Sequence, residues 1–316
     1  MTQEELKGVM KQIGVAEWRG RDLFRWIFAR GATNWEGLTT FSSVIRHQLP
    51  NYLSFDPLHI EAHHKSLDGT QKWVLNKPQS LFNLSCSQTP VGFEAVFIPE
   101  VSRGTACLSS QVGCSLSCLF CHTGTMSKKN LRNLSTAEIV GQLMGMKHEL
   151  SDFPLSGDKK ILSNIVMMGM GEPLYNFKNV SKAIQILTDP DGLAFSKRKV
   201  TISTSGVVPL IEKIGSELGV CLAVSLHAVN DELRDTLVPI NKTYPLKELI
   251  SSIKKYVEAI NQKEKVTIEY VMLKGVNDSI TDAKELIRLL HGIPCFVNLI
   301  PVKFFLFFSF SFSFSF

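Results

Sequence analysis

The chain has 316 residues, 44% hydrophobic and 20% charged, the balance of a soluble enzyme with one large domain and a small one. Its formal net charge of +5 permits an RNA partner without requiring one. Seven unevenly spaced cysteines argue against a secreted disulfide framework and for a reducing compartment, and the early Glu4, Glu5 and Lys7, with no apolar run behind them, exclude a signal peptide.

Residues 2–50 read as helices. Thr2 precedes Glu4 and Glu5, a favourable helix start, and Val9, Met10 and Ile13 give one apolar face. A second helix is expected from about Ala16, with Trp18, Leu23, Trp26 and Ile27 at helical spacing and Arg19, Arg21, Arg25 and Arg30 on the other side. That basic side reads either as a solvated face or as a surface that tracks RNA phosphates. A third helix, about 40–49, ends before Pro50. Residues 55–100 change character: Gln71–Leu75 and Phe93–Ile98 favour strands, and Asp68-Gly69 signals a hairpin turn. Glu94 has apolar chain neighbours in Phe93 and Ala95. It reads as an exposed strand glutamate or as a carboxylate whose raised pKa suits a general base.

Cys114, Cys118 and Cys121 follow with the spacing C-x3-C-x2-C. A structural zinc site takes four ligands in two pairs, and no second C-x2-C pair occurs. Three thiolates round a four-iron cluster leave one iron open for a substrate or cofactor. Three unrelated buried cysteines are the alternative, and His122 is a candidate fourth ligand. From 103 to 301 strands and helices alternate. Strands are expected at Gly104–Leu108, Asn164–Met168, Lys199–Ser203, Val220–Ser225, Val266–Met272 and Phe296–Leu299, and helices at 135–149, 176–188, 207–217, 231–237, 246–261 and 280–291. This rhythm implies a parallel sheet with helices outside it, and reactive groups at the carboxyl ends of the strands. Gly169-Met-Gly-Glu-Pro follows one such strand, where glycines allow close approach to a ligand and Glu172 can accept hydrogen bonds. On its own that segment is simply a tight turn.

The cysteine spacing, with an aromatic residue before the last cysteine, resembles the signature of the radical S-adenosylmethionine (radical SAM) enzymes. Ser-Ser-Gln-Val-Gly-Cys114, Gly169-Met-Gly-Glu-Pro-Leu174, Ser203-Thr-Ser-Gly206, Ser225-Leu-His227 and Asn298-Leu-Ile-Pro301 resemble the RlmN family in order and spacing. The resemblance implies an α/β fold: a partial (β/α)6 radical SAM barrel with a small N-terminal helical accessory domain. The accessory domain would span 1–52, a β-rich extension 53–102, and the barrel 103–301. It implies a 4Fe-4S cluster on Cys114, Cys118 and Cys121, and S-adenosylmethionine contacts from Gly171, Glu172, Ser203, Ser225, Leu226, His227 and Asn298. It implies methylation of adenine carbon 2 in ribosomal and transfer RNA, with methylation of carbon 8 as the activity of a relative. In that chemistry a cysteine near the C-terminus carries the methyl, Cys107 releases the covalent adduct, and Glu94 accepts the carbon 2 proton. Cys86, Cys221 and Cys295 match no role and read as structural. The family further implies a cytoplasmic monomer with an electron donor such as flavodoxin or ferredoxin and no membrane. An organellar form with a longer N-terminus is the alternative.

After Pro301 the pattern stops. Residues 302–316 are a Phe/Ser-rich low-complexity tail, too short for a normal membrane span and prone to aggregation. No cysteine follows Cys295, so the methyl-carrying residue is missing from this sequence. The expectation is a product inactive in methyl transfer, a catalytically dead RNA- or cofactor-binding fragment. The tail resembles a translated pyrimidine tract, as a mis-spliced gene model would give; a mature transcript encoding the same tail would refute that origin.

Overall fold

The computed structural model describes residues 1–77, 92–153, 160–260 and 264–302. Helix α1 (Gln3–Gln12) opens on a capping box, in which the Thr2 hydroxyl accepts from the Glu5 amide and the Glu5 carboxylate accepts from the Thr2 amide. Helix α2 (Arg19–Phe24) starts later than the sequence suggests, because Ala16–Trp18 form a turn closed by the Arg19 amide on the Ala16 carbonyl at 3.0 Å. A π-helical turn, Arg25–Ala29, continues it, and α3 (Ser43–Gln48) runs into a 3-10 turn at Leu49–Asn51.

The rest follows in chain order as β1 (His59–Lys65), β2 (Gln71–Asn76), β3 (Phe93–Pro99), β4 (Gly104–Cys107), β5 (Gln111–Val112), α4 (His122–Thr125), β6 (Arg132–Asn133), α5 (Thr136–Glu149), β7 (Asn164–Met167) and α6 (Phe177–Thr188). Then come β8 (Val200–Thr204), α7 (Val208–Lys213), β9 (Cys221–Ser225), α8 (Asp231–Leu237), α9 (Leu246–Ala259), β10 (Val266–Met272), α10 (Ile280–Leu289) and β11 (Cys295–Pro301). Strand β1, rich in histidine and charge, is absent from the sequence-based list. It pairs antiparallel with β2 across the Asp68-Gly69 turn, where Asp68 accepts from the Thr70 amide at 2.9 Å. Cys86 and tail residues 303–316 lie outside the described residues.

The main sheet has nine strands in the order β1-β2-β3-β4-β7-β8-β9-β10-β11. The six strands β4, β7, β8, β9, β10 and β11 run parallel, each beside its predecessor, and β1–β3 extend the sheet antiparallel. Alternation along each strand splits the side chains between two faces. On the outer face Phe93, Ala95, Ala106, Ile165, Met167, Val200, Ile202, Leu222, Val224, Val266 and Ile268 are buried in one hydrophobic cluster. Residues of α5, α6, α7 and α9 join the same cluster, among them Leu143, Ile184, Ile211 and Ile253. Full burial of each such side chain is worth about 1.5–3 kcal/mol.

Register fixes the inner face. Val96 pairs with Cys107, Cys107 with Val166 and Val166 with Thr201. Ser225 pairs with Glu269, and Glu269 with Asn298. Two-residue steps add Glu94 beside Val96 and Ser203 beside Thr201. Glu94, Cys107, Ser203, Ser225, Glu269 and Asn298 therefore share one face of one sheet. The alternation also changes the surroundings of Glu94. Phe93 and Ala95 point through the sheet into the core, whereas Glu94 is half-exposed on the polar side and pairs with Lys72 at 3.0 Å. Its apolar neighbours in sequence do not enclose it.

The N-terminal arginines are not a free basic row. Arg21 and Arg25 both reach Asp191 at 2.7 Å, and Gln3 donates to the same carboxylate at 2.9 Å. Hydrogen bonding from Arg21, with help from Gln3 and Arg25, holds the Asp191 carboxyl well below the usual range. Arg19 stacks over Trp18 and Arg30 over Trp26. Arg21 and Arg25 tie the N-terminal helices to the loop after α6, while Arg19 and Arg30 pack within the N-terminal region.

Candidate functional site

The cysteine loop hangs between β5 and α4, at the carboxyl end of β4. The Cys121 amide donates to the Cys118 carbonyl at 3.1 Å, and the Gly124 amide to the Cys121 carbonyl at 3.0 Å, winding the loop into a tight hook. Glycine is needed at 124, because a Cβ there would sit 2.9 Å from the Cys118 carbonyl oxygen. Lys128 anchors the loop from outside, 2.8 Å from the Ser117 hydroxyl, and the Leu119 amide binds the Leu237 carbonyl at 3.2 Å. His122 is exposed at the start of α4.

Cys118 is buried, and Cys114 and Cys121 are partly so. Burial chiefly, and then the neighbouring cysteines, push the Cys114 thiol up to about 11 and the Cys118 thiol up to about 12. Three mutually repelling thiolates in a buried loop need a cationic partner to lose their protons. Among the described residues no three His, Cys, Asp or Glu side chains converge on a single ion. A donor set of three neighbouring thiols on one loop fits a multi-iron cluster, in which each thiolate takes its own iron.

The Gly-Met-Gly-Glu segment follows β7 and packs directly on the residues ahead of the cysteines. A Cβ on Gly169 would lie 2.6 Å from the Ser109 hydroxyl oxygen, and one on Gly171, where φ is +99°, would lie 2.5 Å from the Gln111 Cβ. The sequence suggests that these glycines admit a ligand; in the fold they admit the chain's own 109–111 segment. Gln111 then bridges the two. Its Oε1 accepts from the Glu172 amide at 3.0 Å, and its Nε2 donates to the Ser115 hydroxyl at 3.0 Å and to Asn133 at 2.8 Å. Ser109 accepts from the Met170 amide at 2.8 Å while donating to the Glu94 carbonyl at 2.5 Å.

Glu172 is 2% exposed. Its two oxygens accept from the backbone amides of Leu174 at 3.1 Å and Ser205 at 2.8 Å. Burial raises it to about 7 against those hydrogen bonds. Among the described residues no cation pairs with it, and each oxygen keeps accepting capacity, so the pocket suits an ammonium group. Glu172 also acts electrostatically on Cys114 and Cys118, which places it beside the thiols.

Ser203, Ser225 and Asn298 lie on the inner face, as the register requires. Asn298 donates to Glu269 at 2.7 Å. The Leu226 amide donates to the Glu269 carbonyl at 3.0 Å, and the Leu226 side chain is buried. His227 is buried with φ at +61°, a strained conformation for a non-glycine residue. Asn277 holds it there, donating to both the His227 and the Val271 carbonyls at 2.8 Å. His227 Nδ1 accepts from the Val271 amide at 3.0 Å, so the neutral ring is the Nε2–H tautomer. Burial, and then the nearby Arg234 charge, lower it to about 3. The ring meets Phe120 edge-on at 4.4 Å, inside the cysteine loop.

Cys107 ends β4 on the inner face, its thiol pushed up to about 11 by burial. Glu94 lies diagonally across the β3–β4 pair, on the same face. Cys221 begins β9 at the opposite end of the sheet from the cysteine loop, and Cys295 begins β11 rather than preceding it.

Sequence reasoning passed over four residues. Gln111 stands inside a quoted motif but carries no chemistry by type. Glu269 looks like one polar residue in an apolar strand. Ser205 follows the assigned Ser203. Arg234 sits between acidic residues on a short helix and looks solvated, yet it is fully buried. It donates to the carbonyls of Ser205 at 2.7 Å, Ser225 at 3.0 Å and Leu226 at 3.0 Å, and to Asn241 at 2.8 Å.

Comparison with known proteins agrees with this layout. The family model of the radical SAM superfamily matches residues 108–290, and that of the ribosomal RNA large subunit methyltransferase N-terminal domain matches residues 1–54. The dual-specificity RNA methyltransferase RlmN of Rhodopseudomonas palustris is 47% identical, over 95% of this chain and 76% of its own. The RlmN of Azorhizobium caulinodans is 48% identical with the same coverage. A radical SAM methyltransferase from Sphaerobacter thermophilus superposes with a TM-score of 0.83 at 38% identity, over 95% of this chain and 83% of that one. With both family models matched in order and a solved methyltransferase sharing the architecture, the chain belongs to the RlmN family of radical SAM RNA methyltransferases.

Proposed function

We propose that this protein binds a 4Fe-4S cluster through Cys114, Cys118 and Cys121, binds S-adenosylmethionine beside it, and methylates carbon 2 of adenine in ribosomal and transfer RNA. The observation that carries this is the coupling of the three-thiol loop, through Gln111, to the buried and uncompensated Glu172. When bound, the cluster supplies the electron that splits a carbon–sulfur bond of S-adenosylmethionine.

The chain's own groups do the rest. Glu172 accepts the cofactor's ammonium group, and Gly171, turned against Gln111, presents the backbone beside Glu172 to the same group. Ser203, Ser225 and Asn298 present polar side chains along the inner face, and Leu226 and His227 shape its floor. The neutral His227 stays uncharged at working pH and holds Phe120 in place. Glu94, oriented by the Lys72 ammonium 3.0 Å away, takes the carbon 2 proton. Cys107 stays a thiol until substrate arrives and then releases the adduct from the methyl-carrying sulfur. Both lie on the inner face, within a shared register. An electron donor of the flavodoxin or ferredoxin kind, a cytoplasmic setting and a monomeric state complete the proposal. Among the described residues no helix is long and apolar enough to cross a membrane.

No cysteine follows Cys295 in the sequence, so a polypeptide of residues 1–316 separates the two halves of the reaction. Reconstituted anaerobically with iron and sulfide, it is expected to cleave S-adenosylmethionine reductively and to form no 2-methyladenosine in RNA digests read by mass spectrometry. Replacing residues 302–316 with an intact family C-terminus should restore methylation that depends on Cys107 and Glu94. Misplacing one reacting group forfeits several kcal/mol of the roughly 7–11 that positioning supplies. Formation of 2-methyladenosine by residues 1–316 alone would mean that another thiol carries the methyl, and 8-methyladenosine would point to the carbon 8 reaction.

A further inference from the structure

Two basic side chains continue the face that carries Cys107 and Glu94. Register runs unbroken across four strands: Cys107 of β4 pairs with Val96 of β3, Val96 with Lys72 of β2, and Lys72 with His64 of β1. A second row beside it runs from Glu94 through Val74 to Ala62. With strands about 4.8 Å apart, Lys72 lies roughly 10 Å from Cys107 and His64 roughly 14 Å. The two sides of this extension differ. Trp73, Ala95 and Phe97 are buried on the outer side, whereas Lys72, Val74, Glu94 and Val96 are half-buried on the inner side and His64 is exposed. An antiparallel sheet packed on one side leaves the other open to solvent or to a ligand. Strand β1 is the sheet edge, so that open side can be approached from beyond it.

The inner side has the chemistry of a surface for single-stranded RNA. Val74 and Val96 offer apolar contact to a base or ribose, and His64 offers a flat ring. Lys72 uses one of its three donors on Glu94 at 3.0 Å and has two left. The Glu61 carboxylate of β1 is taken up by Asn76 at 2.7 Å. Arg21 and Arg25, which read in the sequence as phosphate ligands, are held by Asp191 instead. We propose that Lys72 and His64 bind the phosphate backbone of the RNA substrate, so that the inner face of β1–β3 leads the target adenine to Glu94 and Cys107. Lys72 then stands between the Glu94 carboxylate and the phosphate and shields one from the other. The inference rests on the reading of Glu94 and Cys107 as the reaction centre for RNA.

The test is equilibrium binding of a fluorescein-labelled RNA hairpin with adenine in its loop, followed by anisotropy over a range of salt concentrations. Binding does not need the proton transfer at Glu94, so it separates this role of Lys72 from the orientation of the base. Lys72→Met keeps the aliphatic stem and removes the charge. It should bind about tenfold more weakly at low salt, with the slope of log affinity against log salt shallower by about 0.7. Lys72→Arg should stay near wild type. His64→Ala should also weaken binding, whereas His63→Ala, whose ring stacks on Trp73 on the outer side, should not. Unchanged affinity in Lys72→Met, or weaker binding with an unchanged salt slope, would overturn the phosphate contact. Equal losses in His63→Ala and His64→Ala would overturn the choice of face. Should Lys72→Met fail to fold, Lys72→Arg and the two histidine variants still decide the matter. A wild type that binds no RNA would instead defeat the underlying reading of the reaction.

Discussion

Glu172 shows what one buried carboxylate does to this molecule. Its pKa is raised to about 7 in the fold, chiefly by burial, from an ordinary 4.5. Between those values the folded chain binds a proton that the unfolded chain does not. The stability it contributes is therefore fully present below about pH 4.5 and is lost as pH rises through about 7. The difference is on the order of 3 kcal/mol. Thermal unfolding of the metal-free protein should show wild type losing stability relative to Glu172→Gln across that window, and a flat or opposite difference would mean that Glu172 is already paired. Residues of this kind were legible in the sequence because their type carries the chemistry: thiols at cluster spacing, and a carboxylate after a glycine turn. Arg234 and Ser205 were not, because their roles come from burial and from backbone contacts that no spacing announces.

At the scale of elements, helix α5 shows how a core element also builds the site. Ser135 and Glu138 form a capping box, and Arg132 pairs with Glu138 at 2.7 Å. One face of α5 buries Ile139, Leu143 and Met146. From that packed face the fully buried Gln142 clamps Ser109, accepting from its amide at 2.8 Å and donating to its carbonyl at 3.0 Å. Gln142→Leu keeps the volume and strands two buried backbone groups, at about 1–3 kcal/mol each. A drop in the denaturant midpoint together with weaker retention of iron is expected; a stable variant with full iron content would show that the clamp is dispensable. The helices and parallel strands could be read in advance because apolar runs, caps and turns recur at regular intervals. Strand β1 could not, since its histidines and charges give no apolar alternation. The purpose of Gly169 and Gly171 was also hidden, because the surface they approach belongs to a distant part of the same chain.

Over the whole molecule, the sheet does the organising. The parallel strands bring Cys107, Ser203, Ser225, Glu269 and Asn298 to one face, the antiparallel β3 adds Glu94 to it, and the cysteine loop hangs over the carboxyl ends of the parallel strands. The N-terminal helices are fastened to the barrel through Asp191, which gathers Arg21, Arg25 and Gln3, and through the Lys182–Glu5 pair. Asp191→Ala should speed proteolysis and hydrogen exchange in residues 1–30 without moving the global unfolding midpoint; unchanged exchange there would mean that apolar packing alone holds these helices. The central claim, that the three-thiol loop is an iron–sulfur site, is tested most directly by anaerobic reconstitution with iron and sulfide. Wild type should take up four irons per chain and show the broad visible absorption of a 4Fe-4S cluster, and Cys118→Ala should lose it. A full cluster retained after Cys114, Cys118 and Cys121 are all replaced by alanine would contradict the account.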